Sequence, residues 1–118
     1  MGTFRQRVSI RNPQTHQALE TEALLDTGST LMVLTRDLMT QLGIEELGTR
    51  SFELANKDVV NLSIGYVEVA VGDRTVVTLC AFGDAVAEPI LGATALELLF
   101  LAVDPVRKTL VPVHGLLM

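Results

Sequence analysis

The chain has 118 residues, 48% of them apolar and 19% charged, which excludes disorder and supplies enough apolar surface for one core. Nine Lys and Arg against fourteen Asp and Glu give a formal net charge of -5 with no basic cluster, so a nucleic-acid surface is not expected. No apolar run reaches the length of a membrane span, and no linker, repeat or low-complexity stretch interrupts the sequence, so residues 1–118 read as a single domain.

Aromatic residues make up only 4% of the chain, which leaves the core to Leu, Val and Ile. The lone cysteine, Cys80, cannot form an intrachain disulfide and lies in the apolar run 76–82, where a thiol behaves as a small hydrophobe. A soluble protein of a reducing, cytoplasmic compartment fits, with no membrane contact by this chain. The first five residues lack the apolar core of a signal peptide, and Gln6 stands where a myristoylation signal needs Ser or Thr. An anchor removed from the chain would leave no trace in it. The glycosylation triplet Asn61-Leu62-Ser63 carries little weight without a secretory signal.

Phe4, Val8 and Ile10 alternate with polar residues, Asn12-Pro13-Gln14-Thr15 marks a turn, and a second strand runs from Ala18 toward Asp26, so the chain opens with a hairpin. Arg5, Arg7 and Arg11 fall on one solvated strand face, and His16 lies in solvent at the tip. No local spacing of metal ligands occurs, and neither a metal nor a cofactor is expected. The second strand ends in Leu24-Leu25-Asp26-Thr27-Gly28-Ser29-Thr30, and β-formers resume at Leu31-Met32-Val33-Leu34. A carboxylate beside a buried run is costly unless donors surround it, and the next four residues offer amides and hydroxyls in succession.

Thr35 is a candidate N-cap for a short helix over 36–42 with Gly43 past its end, and Leu34, Leu38 and Leu42 share the face that packs on the sheet. Residues 50–54 and 59–62 flank Ala55-Asn56-Lys57-Asp58, whose Asn and Asp suit a tight hairpin turn. Residues 65–71 alternate around Val67, Val69 and Val71, Gly72-Asp73 turns the chain, and 75–82 returns as a more central strand. Residues 83–89 read as a loop with Asp84 and Glu88 solvated. Pro89-Ile90-Leu91-Gly92 is a second apolar strand running into a glycine, followed by a helical stretch over 93–99. Residues 101–103 and 109–113 read as strands around a turn opened by Asp104-Pro105, and the apolar tail Leu116-Leu117-Met118 should be covered by this domain or by a second subunit.

The apolar-apolar-Asp-Thr-Gly-Ser motif at 24–29, a hairpin over 50–62, and Ile90-Leu91-Gly92 entering a helix resemble, in that order, the retropepsin-like family of aspartic peptidases. The resemblance covers about residues 5–112. It implies an all-β subunit with one or two short helices, a closed β-barrel or sandwich. It also implies an aspartic endopeptidase acting on polypeptide substrates as a homodimer, in which two copies of Asp26 share one proton and activate water. On the same resemblance Thr27 hydrogen-bonds across the two-fold axis, Gly28 gives its amide to the carboxylate, and Ser29 adds an outer hydrogen bond. Ile90, Leu91 and Gly92 back the loop, and Leu54, Ala55, Asn56, Lys57 and Asp58 form the flap over the substrate.

Two departures stand out: Ala93 occupies the place where retroviral members carry an arginine that ties the dimer, and the flap lacks their glycine-rich tip. The rival reading is a non-catalytic peptidase-fold module that dimerises or binds extended peptides by strand addition. A serine or cysteine hydrolase is not supported, since no Gly-x-Ser-x-Gly motif is present. Asp104 reads as a turn opener rather than as a second acid within one chain.

Overall fold

Alternation of inward and outward side chains folds the start of the chain into a hairpin. Strands β1 (Arg5–Arg11) and β2 (Ala18–Leu25) pair antiparallel from Arg5↔Leu24 to Arg11↔Ala18, with Val8, Ile10, Ala23 and Leu25 buried. The computed structural model describes residues 4–84 and 88–118. The features expected at residues 1–3, and the middle of the loop expected over 83–89, lie outside the described residues. The arginines of β1 are paired with carboxylates: Arg5 with Glu88, Arg7 with Glu20 and Arg11 with Glu68. The first two pairs are solvent-exposed and contribute little to stability, while the Arg11–Glu68 pair, between the two strands that close the sheet, is half-buried.

At the hairpin turn Asn12 is buried, and its side chain stands in for several backbone groups. Its Nδ2 donates to the carbonyls of Leu42 and Gly43 at 3.0 and 3.1 Å, and its Oδ1 accepts from the amides of Gln14 and Thr15. The turn is thereby tied to the end of helix α1 (Arg36–Gln41), which follows β3 (Met32–Thr35). Thr35 caps that helix by accepting from the Leu38 amide at 3.3 Å, and Gly43 follows in the left-handed region at φ 70°.

The hairpin predicted at mid-chain is formed by β4 (Gly48–Glu53) and the first part of β5 (Val59–Val71). The sequence suggests two strands between residues 59 and 71, but β5 runs through without a break. Gly65 serves close packing there, because a Cβ would lie 2.6 Å from both the Glu45 carbonyl oxygen and Ile44 Cγ2. Strand β6 (Arg74–Gly83) returns antiparallel to β5 and also runs parallel to β3. The short β7 (Ile90–Leu91) then threads between β2 and β3, parallel to the one and antiparallel to the other.

The sheet order is β1-β2-β7-β3-β6-β5-β4, and β1 pairs with β5 as well, through Ser9↔Ala70, Ile10↔Val69 and Arg11↔Glu68. Six strands therefore close into a barrel, which leaves β4 outside as the free arm of the hairpin. The barrel interior is filled by aliphatic side chains from every wall, including Ile10, Leu25, Met32, Leu34, Val67, Val69 and Leu91, with Phe82 its largest member. Cys80 lies within this core, and burial pushes its thiol far above the ordinary range, so it acts as a small apolar filler.

Helix α2 (Ala93–Leu99) packs Ala95, Leu96 and Leu99 on the barrel and ends at Phe100 in the left-handed conformation, φ 56°. A separate two-stranded sheet follows, β8 (Leu101–Asp104) with β9 (Thr109–Pro112). Asp104 opens its turn as expected, Oδ1 accepting from the amides of Val106 and Arg107. The apolar tail is not covered by its own chain, since Leu116 and Leu117 are 96% and 100% exposed. No helix among the described residues is long and apolar enough to cross a membrane.

Candidate active site

The turn carrying Asp26 is suspended from three neighbours through main-chain bonds. The Leu24 amide donates to the Pro89 carbonyl at 2.9 Å, the Leu25 amide to the Phe4 carbonyl at 2.9 Å, and the Asp26 amide to the Leu91 carbonyl at 3.1 Å. The loop closes on itself by a bond from the Ser29 amide to the Asp26 carbonyl at 3.1 Å, and the Gly28 amide donates to Asp26 Oδ1 at 2.9 Å. That bond holds the carboxylate in one orientation.

On the far side the loop hangs from helix α2. Gly92, its N-cap, offers no side-chain bond, so the first amides of the helix look elsewhere for acceptors. They find them in the loop: Ala93 donates to the Ser29 carbonyl at 2.7 Å and Thr94 to the Thr30 carbonyl at 3.0 Å. This close approach requires glycine at 92, because a Cβ would lie 2.5 Å from the carbonyl oxygens of both Ser29 and Leu31. The Ser29 hydroxyl donates to the Leu31 carbonyl at 2.8 Å, which fixes the loop rather than the carboxylate. Asp26 itself is half-buried while Thr27, Gly28 and Thr30 are exposed, so the turn presents its acid at the surface of this chain.

The structure thus brings Asp26, Thr27, Gly28 and Ser29 against Ile90, Leu91 and Gly92, and it sets the hairpin tip apart. Leu54, Ala55, Asn56, Lys57 and Asp58 are all exposed and are knitted to one another. Leu54 donates to the Asp58 carbonyl at 2.8 Å, Lys57 to the Leu54 carbonyl at 2.9 Å, and Asp58 to Asn56 Oδ1 at 3.0 Å. Lys57 takes the left-handed conformation, φ 75°, that a glycine-rich tip would adopt without strain.

Two cavities, of about 340 Å³ beside Ile44, Leu47, Tyr66 and Val77 and about 520 Å³ between β1, Arg74 and the second sheet, lie elsewhere, and neither is lined by Asp26. Both acids of the 83–89 loop are half-exposed and held by arginines. Glu88 accepts from Arg5 through both oxygens at 3.0 and 2.8 Å, and Asp84 pairs with Arg36, whose guanidinium also lies 5.0 Å from the Phe82 ring centre. The Arg36 guanidinium holds the Asp84 carboxyl below the usual carboxylate range. No group of three or more His, Cys, Asp or Glu that could hold a metal ion occurs among the described residues.

Two contributors to the site carry no sequence signal. Phe4 acts through its carbonyl, which any residue could supply. Arg74, at the start of β6, donates through Nη1 to the carbonyls of Leu99 and Phe100 at 2.9 and 2.8 Å, closing the other end of α2.

A closed barrel of short strands, an Asp-Thr-Gly turn at the end of one strand, and an Ile-Leu-Gly strand entering a helix behind it define a retropepsin-like fold. A family model described as aspartyl protease matches residues 8–95, and the chain belongs to that family. Among solved structures, the foamy viral protease-reverse transcriptase in complex with an RNA/DNA hybrid is similar over 80% of this chain, with a TM-score of 0.56 and 13% identity. A foamy viral protease-reverse transcriptase with double-stranded DNA gives 0.54 over 78%. This chain spans only 12% and 15% of those two longer chains. A retropepsin-like aspartic protease from Rickettsia conorii is 17% identical over 82% of each chain, with a TM-score of 0.49. A search of curated protein sequences gave no match.

Proposed function

We propose that residues 1–118 form one catalytic domain, an aspartic endopeptidase, and that its working unit is a homodimer in which two Asp26 carboxylates face each other across a two-fold axis. The observation that carries this reading is the Asp26 turn: a carboxylate oriented by the Gly28 amide at 2.9 Å, fastened from behind by Ile90, Leu91 and Gly92, and left open at the surface. A single carboxylate can take a proton from water but cannot at the same time give one to the departing group. Two carboxyls a hydrogen bond apart share one proton, so one takes a proton from the attacking water while the other protonates the carbonyl oxygen of the scissile peptide. The reaction uses no cofactor.

Thr27, exposed beside Asp26, holds the two turns in register across the axis, and Ser29 stiffens each turn through Leu31. The polypeptide substrate lies extended between the turns and the flap, whose tip is Leu54, Ala55, Asn56, Lys57 and Asp58. Asp26→Asn keeps the shape and most of the hydrogen bonding of the side chain while removing the base. A purified D26N variant with unchanged circular dichroism and no cleavage of a denatured protein substrate supports the proposal. Cleavage by D26N at the wild-type rate would show that Asp26 is structural and overturn the proposed mechanism, whereas wild-type protein that binds extended peptides and cleaves none would leave a peptide-binding module as the reading.

A further inference from the structure

The Asp26 turn is held on one side by the carbonyls of Phe4, Pro89 and Leu91 and on the other by helix α2, so a shift of α2 moves the far side of the loop that carries the carboxylate. Its amino-terminal end is committed to the loop through the Ala93 and Thr94 amides. At its other end the Phe100 amide closes back on the Glu97 carbonyl at 3.1 Å and Leu99 is buried on the barrel, but the last turn holds no basic residue, and the chain leaves through Phe100 in the left-handed conformation, which a side chain adopts less readily than glycine. The last carbonyls of the helix are satisfied by a different element. Arg74, half-buried at the start of β6, donates to the carbonyls of Leu99 and Phe100, two acceptors that the end of a helix leaves without intrahelical partners. The Phe100 carbonyl accepts in addition from the Val113 amide at 3.0 Å, so the exit of β9 is locked at the same point.

From these contacts we infer that Arg74 is a positioning residue for the proposed catalytic centre. It forms the far end of a rigid link that runs from the β5–β6 turn through α2 to the carbonyls of Ser29 and Thr30, and so to Asp26. Because Ala93 begins the helix, no side chain at its first position can brace the loop, and the brace acts at the opposite end, some seven residues away along α2. The link also joins the strand that carries the flap arm to the loop that carries the acid, since β5 turns directly into Arg74. This inference rests on the peptidase reading for its consequence in rate, but the mechanical link stands on the geometry alone.

The test compares Arg74→Met, which keeps an unbranched apolar stem and removes the donors, with Arg74→Lys, which keeps a charge and a donor. Arg107→Met, on the exposed turn between β8 and β9, is the control. At saturating peptide and a protein concentration that keeps the dimer intact, R74M should lower kcat about tenfold, since small misplacements of catalytic groups carry penalties of that order or more. KM should stay near the wild-type value, R74K should recover part of the loss, and R107M should match wild type. By hydrogen exchange, the Ala93 and Thr94 amides should exchange faster in R74M, while those of β5 and β6 stay protected. Unchanged exchange at Ala93 and Thr94 in R74M, or exchange that rises equally throughout the barrel, would overturn the inference. If R74M does not fold, R74K is read by the same two measurements with the same outcomes. If wild-type protein cleaves nothing, the peptidase reading fails while the exchange data still decide whether Arg74 braces the loop.

Discussion

A methyl group at position 92 has nowhere to go: the nearest atoms are main-chain carbonyls of Ser29 and Leu31, which cannot swing aside as a flexible side chain would. Gly92→Ala should therefore push the loop away from α2, at a cost of about 1–3 kcal/mol typical of overpacking, and chemical denaturation will measure it. Cleavage activity should fall further than stability, because the displaced loop carries Asp26. The pair of Asp84 with Arg36 makes a different prediction. The folded carboxyl titrates below its unfolded value, so the stabilisation is fully present above the unfolded value and disappears as pH falls through the folded one. The difference in denaturation midpoint between wild type and Asp84→Asn should hold at neutral pH and begin to shrink only below about pH 4, the ordinary range of Asp. A difference that persists unchanged through the acid range would mean that the side chain contributes by packing and not by charge.

Most elements are legible in the sequence because each has a local signature. Alternation marks β1, β2 and the carboxyl-terminal half of β5; turn residues mark the hairpin tips; Thr35 and Gly43 bracket α1. What is not legible depends on residues far apart in the chain. Nothing near Ile10 announces its pairing with Val69, yet that register closes the barrel. Nothing around Gly65 distinguishes a strand break from a place where the 44–45 segment crosses closely. The Asp26 turn stands out because Asp, Thr and Gly between apolar runs are locally anomalous, whereas Arg74 resembles any arginine beside a turn. At the proposed flap, the self-bonded tip from Leu54 to Asp58 predicts movement as a unit, hinging where β5 leaves the barrel. With a peptide-mimicking aspartic-peptidase inhibitor bound, amides across residues 52–62 should gain protection from hydrogen exchange together with those around Asp26. Protection around Asp26 alone would reduce the hairpin to a surface feature.

For the whole molecule, the decisive quantity is how many copies make one site. This chain supplies a single Asp-Thr-Gly turn with Thr27, Gly28 and Thr30 exposed beside it, and a tail whose Leu116 and Leu117 are 96% and 100% exposed. Both features leave surface that one chain does not cover. Association that buries the apolar tail is favourable, and a two-fold arrangement brings the same patch of each copy against the other. Ala93, at the start of α2 behind the Asp26 loop, offers neither charge nor donor that could tie two copies together, so the proposed association should be weak enough to reverse in the concentration range of an ordinary assay. Activity per subunit should therefore stay constant at high concentration and fall on dilution. The midpoint of that fall should coincide with the monomer–dimer midpoint from analytical ultracentrifugation, and a peptide-mimicking inhibitor that spans both halves should move both midpoints to lower concentration, because a ligand that binds only the dimer stabilises it by mass action. Truncation after Val113 should shift the two midpoints together to higher concentration if the tail lies in the interface. Full activity in a fraction that sedimentation shows to be monomeric would eliminate the shared site, and with it any catalytic part for a second Asp26.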